Sequence, residues 1–171
     1  YDGEIAYTDM NFGRALGALR KAGVLGRTLV VMTSDHGEGL GEHGEESHSF
    51  FLYQSTLRVP LVMAGPGIKA GARYPGLVRL VDIFPTVLQA AGIQVPGGLD
   101  GESLLPALRG ETLEPRASIA EATAPHEEFG WPPLYGLTDD RYSVLYHKRP
   151  ELYRMDIDWG QGHDLSLKDP E

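Results

Sequence analysis

The sequence contains no cysteine, which excludes disulfides, thiolate metal sites and a cysteine nucleophile within it and leaves the redox compartment unread. No apolar run approaches the ~18 residues that a membrane-spanning helix needs. The first residues carry an amphipathic pattern where a signal peptide would show a basic segment followed by an apolar one, so any targeting segment is expected outside these residues. Positive charge is scarce: 15 Lys and Arg stand against 24 Asp and Glu, a formal net charge of -9. With no basic run to offset the carboxylates, this balance argues against nonspecific binding to nucleic acid or to an acidic membrane surface, and neither is expected as a partner. Low-complexity tracts and internal repeats are also missing. The 171 residues, 42% apolar, suffice to bury a core in one domain or in one domain with a small appendage.

Residues 4–22 read as a helix, with Ile5, Phe12, Leu16 and Leu19 on one face and Asp9, Arg14 and Arg20 largely on the other. The run Thr28–Met32 is β-branched and apolar without alternation, the pattern of a strand buried on both faces of a parallel sheet. A helix leading into such a strand is one arm of an α/β unit whose preceding strand is missing, so the chain is expected to be part of a larger fold. Residues 49–56 suggest a short helix and Arg58–Gly67 a second buried strand. Asp82 is placed to cap a helix carrying Ile83, Phe84, Val87 and Leu88, with Pro85 in its first turn and Gly92 past its end. From about residue 115 short strands, 117–122 and 142–147, flank a proline-rich loop over 125–133.

The expected architecture is therefore α/β. A mostly parallel buried sheet flanked by helices occupies residues 1–114, and a small antiparallel C-terminal annex occupies 115–171. Sheet edges left unpaired in such a piece predict self-association as a homo-oligomer.

The chemistry concentrates just after the first strand, in the loop Thr33–Gly44. Asp35 and His36 stand side by side where ligands gather in open α/β sheets, at the carboxyl end of a strand. Glycines at 37, 39, 41 and 44 allow turns that let both side chains face one ion. Carboxylate plus imidazole suits Zn or Mn, and one His does not exclude Ca or Mg. The bland alternative is a polar loop in which Asp35 caps the following turn and the histidines are solvated. Against it, Asp35, His36, Glu38, Glu42, His43 and His48 crowd a short segment that follows a buried strand.

Ser34-Asp35-His36-Gly37-Glu38 followed by Leu40-Gly41-Glu42-His43-Gly44 resembles the metal-binding loop of sulfatases and of related enzymes of the alkaline phosphatase superfamily. The likeness extends in order along the chain: Tyr1–Asp9 resembles the helix before that loop and Leu57–Leu61 the strand after it. Val81–Leu88 with Ala91-Gly92-Ile93 resembles the next helix, and Asp100–Pro106 and Glu151-Leu152-Tyr153 resemble sulfatase C-terminal motifs. The resemblance implies an incomplete alkaline phosphatase-like fold and a divalent cation on Asp35 and His36, with Ca the first expectation and Zn or Mn as alternatives. It implies that His48, by spacing, contacts the transferred group in a catalytic and substrate-binding role. A formylglycine, made from Cys or Ser in a Cys/Ser-x-Pro-x-Arg motif, belongs to an N-terminal half that these residues lack, as does a further acidic metal pair.

His43 is read as loop structure, Glu38 and Glu42 as acceptors behind the ligands or as solvated charges, and Arg58 as supporting packing or a salt bridge at the strand entry. His126, His147 and His163 lack ligand-like neighbours. The implied function is the C-terminal part of a metal-dependent hydrolase of small-molecule or glycan sulfate esters, inactive by itself and extracytoplasmic, either periplasmic or secreted. Alternatives are a phosphoethanolamine or phosphoglycerol transferase, a phosphodiesterase or phosphonate hydrolase of the same superfamily, and a non-catalytic binding module.

Overall fold

The computed structural model describes residues 1–167. Helix α1 (Asp2–Lys21) places Asp2 and Glu4 in its first turn and Arg20 and Lys21 in its last, charges that complement the helix dipole. None of its residues is buried, and Ile5 on the expected apolar face is 52% exposed.

Strands β1 (Val30–Thr33) and β2 (Leu61–Ala64) pair antiparallel, with Val30 opposite Ala64 and Thr33 opposite Leu61. The α/β class holds, whereas the parallel pairing expected of these runs does not describe them. A continuous apolar run reports burial, but strand direction depends on the path of the loop between the runs. Nor is β1 buried on both faces: its residues are half-buried or exposed. In β2 the alternation is clear, since Leu61 and Met63 pack on the buried cluster Leu104, Ala107 and Leu113 while Val62 faces out.

The expected helix over 49–56 is reduced to α2 (Gln54–Leu57). The backbone N–H groups of Phe50 and Phe51 instead donate to the buried Glu45 carboxylate, at 2.9 and 3.3 Å, and Ser49 sits at φ 91. Helix α3 (Ile83–Ala90) begins after Asp82, but the Asp82 side chain does not cap it. Its carboxylate is fully buried and engaged by Arg79, Arg116 and the Glu102 N–H. A short α4 (Leu105–Leu108) follows.

The C-terminal region is a four-stranded antiparallel sheet in sequential order: β3 (Ser118–Ala122), β4 (Leu134–Thr138), β5 (Tyr142–Tyr146) and β6 (Glu151–Arg154). Sequence patterning missed β4 and β6. It also read as loop a segment that forms helix α5 (Ala124–Phe129), whose Pro125 occupies the first turn where a missing N–H costs nothing. At the β4–β5 hairpin, Asp139 accepts the N–H groups of Arg141 and Tyr142 at 2.7 and 2.6 Å. Ala122, Leu145 and Tyr153 from this sheet form a core with Leu52, against which Tyr53 and Leu57 pack. That core ties the segment after His48 to the annex and so positions the loop between β1 and α2.

Candidate active site

The loop leaving β1 is organised by its own backbone. Ser34 Oγ donates to the His36 carbonyl at 2.7 Å, and the His36 N–H donates to Asp35 Oδ1 at 3.1 Å. The Gly37 N–H donates to the Thr56 carbonyl at 2.7 Å and the Gly39 N–H to the Ser47 carbonyl at 2.6 Å, so the loop is stapled to α2 and to its own returning segment. A Cβ at Gly37 would land on the Ser55 carbonyl, so only glycine permits this approach.

Within that frame Asp35 and His36 meet. The N–H groups of Asp35 itself and of His36 hold the Asp35 carboxyl below the usual carboxylate range, with the His36 ring adding to the effect, so it is an anion at neutral pH. His36 Nδ1 lies 2.8 Å from the Gly37 carbonyl, which can only accept, so Nδ1 carries a proton and, in the neutral ring, Nε2 is the nitrogen that offers a lone pair. Nε2 stands 3.8 Å from Asp35 Oδ2. Two donors at that separation can be bridged by one ion with bonds of about 2.1–2.5 Å, so the pair fits a divalent cation. Among the described residues no group of three or more His, Cys, Asp or Glu converges on a common point.

The His48 ring lies against that of His36, with centroids 4.0 Å apart. Its Nδ1 donates to Glu38 Oε1 at 3.1 Å, and this hydrogen bond is the main reason the Glu38 carboxyl sits below its ordinary range. Nε2 is left for another partner. His36 and His48 line an open cleft of about 310 Å³ together with Thr56 and the Glu121–Ala124 segment. Asp35 borders a second, apolar hollow against Leu80, Ile83, Phe84 and Val87.

The remaining candidates are occupied elsewhere. His43, at φ 53, stacks on Tyr53 with centroids 3.7 Å apart, and its Nε2 donates to the Gly160 carbonyl at 3.0 Å. Glu42 accepts the Leu40 N–H at 2.7 Å. Arg58 lies 5.3 Å over the Trp159 ring. His126 bonds the Trp131 carbonyl, His147 pairs with Glu151 and His163 sits beside Asp158. Sequence reasoning missed Glu45, whose buried carboxylate organises the backbone after His48, because nothing local distinguishes it from the neighbouring Glu46.

The family model described as Sulfatase matches residues 1–93. The chain belongs to the sulfatase family. Among its relatives is arylsulfatase K of Rattus norvegicus, 48% identical over 101 residues, covering 59% of this chain and 18% of that protein. Arylsulfatase K of Gallus gallus is 32% identical over 176 residues, covering 97% of this chain and 33% of that protein. Such relatives are much longer: this sulfatase chain spans 18–20% of the three mammalian proteins it matches at 44–48% identity. Among solved structures, BT4656 in complex with its substrate D-glucosamine-2-N,6-O-disulfate matches with a TM-score of 0.82 and 31% identity, over 94% of this chain and 34% of that one. A phosphonate monoester hydrolase from Silicibacter pomeroyi matches with a TM-score of 0.77 and 28% identity, over 95% of this chain and 35% of that one. The α/β fold of this member of the sulfatase family is the alkaline phosphatase-like one of these structures.

Proposed function

We propose that these residues form the C-terminal part of a sulfatase catalytic domain that hydrolyses sulfate esters of small molecules or glycans outside the cytoplasm. The observation that carries this reading is the approach of Asp35 Oδ2 and His36 Nε2 to 3.8 Å with the His48 ring centroid 4.0 Å from that of His36, the two rings tilted by 31°. Asp35 and His36 hold a divalent cation, Ca first and Zn or Mn next, whose remaining ligands come from sequence outside these residues. The cation would supply positive charge that polarises the sulfuryl oxygens. His48, oriented by Glu38, presents Nε2 to a nonbridging oxygen or to the leaving-group oxygen, where a proton can be held or delivered. The nucleophile, formylglycine in this family, has no counterpart here and is assigned to the upstream half. We further propose 115–171 as a subdomain, of which residues 168–171 lie outside the described residues and Glu121–Ala124 wall one side of the cleft.

Transfer of a phosphorus group is the second reading, supported by the likeness to a phosphonate monoester hydrolase. One set of measurements tests both. In the full-length protein, Asp35→Ala and His36→Ala are expected to weaken cation binding in calorimetry by about 10- to 100-fold. His48→Ala is expected to keep cation binding but lower kcat on an aryl sulfate by about 10²- to 10⁴-fold. The isolated chain is expected to turn over nothing. Unaltered cation binding in Asp35→Ala would sink the ligand assignment, and wild-type turnover of a phosphonate ester but not of an aryl sulfate would favour the second reading.

A further inference from the structure

Three residues before His48, Glu45 holds its carboxyl group inside the fold at 4% exposure. Further chain packed against this one can only deepen that burial. Oε1 accepts the N–H groups of Phe50 and Phe51 at 2.9 and 3.3 Å, and Oε2 is buried with no hydrogen-bond partner among the described residues. Burying such a group is costly unless its hydrogen bonds offset the loss of water, so its placement needs a reason in what it holds.

The two N–H groups close a loop over residues 46–49 with His48 inside it. Ser49 sits at φ 91, a left-handed conformation that a side-chain-bearing residue keeps only when its surroundings impose it. Hydrogen bonds from the next two N–H groups to one buried oxygen impose it here. The other side of the loop is fixed by backbone: the Gly41 N–H donates to the Glu45 carbonyl at 2.9 Å and the Gly39 N–H to the Ser47 carbonyl at 2.6 Å. His48 therefore stands between two anchors, one on the backbone before it and the other on the Glu45 side chain. Ser49 and Phe51, just beyond it, line the same cleft as His36 and His48.

We propose that Glu45 is a positioning residue for His48: its side chain fixes the turn at Ser49 and with it the direction in which the imidazole presents Nε2 to the reacting group. The inference rests on the sulfatase reading above, in which His48 contacts that group. Glu38 orients the same ring through Nδ1, but a ring held by one hydrogen bond still swings with its backbone, and the grip of Glu45 removes that freedom. A misplacement of about 1 Å in such a group can cost about 10²-fold in rate. The cation ligands are held by other contacts, Ser34 Oγ on the His36 carbonyl and the Gly37 N–H on Thr56, so the role is separable from cation binding.

The test uses the full-length protein, an aryl sulfate and calorimetry with Ca. Glu45→Ala is expected to lower kcat about 10- to 100-fold, while Ca affinity stays within about twofold. Glu45→Gln keeps an oxygen that accepts both N–H groups and is expected to restore most of the loss. In a His48→Ala background, Glu45→Ala is expected to lower kcat by less than about twofold further, because nothing is left to position. The full loss in that background overturns the assignment, and so does Glu45→Gln as slow as Glu45→Ala. Ca affinity that falls in step with kcat overturns it too, because that marks general damage to the loop. Wild-type kcat in Glu45→Ala beside a slow His48→Ala overturns the Glu45 assignment alone. Wild-type enzyme that leaves the aryl sulfate intact, or His48→Ala with wild-type kcat, overturns the sulfatase reading of His48 and this assignment with it.

Discussion

Asp82 has no exposed surface, yet it is a carboxylate with two guanidinium partners: Arg79 Nη2 at 2.9 Å and Arg116 Nη1 at 3.3 Å. The Arg79 and Glu102 backbone N–H groups complete its shell at 3.0 and 2.9 Å. Charges so enclosed cost much when one partner is removed, because the other is left buried without compensation. Asp82→Ala is therefore expected to lower unfolding free energy by about 3–5 kcal/mol in urea denaturation, and a loss below about 1 kcal/mol would refute the account. The same residue shows what a single position reveals in sequence. An Asp before an apolar helical run reads as a cap, and only the arrival of Arg116 from a distant segment shows why its oxygens are used otherwise. Asp35, His36 and His48 stood out because their ligand types cluster within one loop. Glu38 as the partner of His48 did not, because a carboxylate ten residues from an imidazole becomes its neighbour only once the loop turns back.

Between β1 and α2 the loop is an element in its own right, and Gly37 is its closest point of approach. Its N–H bonds the Thr56 carbonyl at 2.7 Å while a side chain there would strike the Ser55 carbonyl. Backbone cannot yield as a flexible side chain can, so Gly37→Ala is expected to cost about 1–3 kcal/mol, a fall in Tm of roughly 5 °C. Because the shifted segment carries His36, cation affinity of the full-length protein should fall as well; a variant with wild-type Tm and wild-type affinity would show that the loop is not held by this contact. At this scale the helices with strong periodicity or a clear stop were legible: residues 4–22 became Asp2–Lys21, and the helix after Asp82 became Ile83–Ala90. Strands β4 and β6 were not. Leu134–Thr138 contains Gly136 and follows a proline pair, features that read as loop, and pairing with β3 and β5 overrides that local preference.

Across the whole molecule, the segment after the site loop is clasped to the annex by a polar network around Glu151. The hydroxyls of Tyr53 and Tyr153 both donate to Glu151 Oε2, and His147 bonds its other oxygen at 3.0 Å. Burial, and next the hydrogen bond to Glu151, pushes the Tyr53 phenol up to about 12 and raises that of Tyr153 as well. The fold thus favours the protonated phenols: their contribution to stability is complete below the ordinary tyrosine value of about 10 and is lost as pH rises through the raised values. Of eight tyrosines, these two are expected to titrate last in a near-ultraviolet absorbance titration, together with loss of secondary structure in circular dichroism. Titration of all eight near pH 10 with the fold intact would contradict the clasp. The amino-acid order by itself determined the family, the clustering of Asp35, His36 and His48 in one loop and the α/β class, because these rest on residue types at short, ordered spacings. The antiparallel pairing of β1 with β2, the Glu38–His48 pair, the grip of Glu45 on Phe50 and Phe51 and the Glu151 clasp were decided by tertiary structure alone. Each joins residues whose proximity depends on the three-dimensional path of the chain, which local pattern does not record.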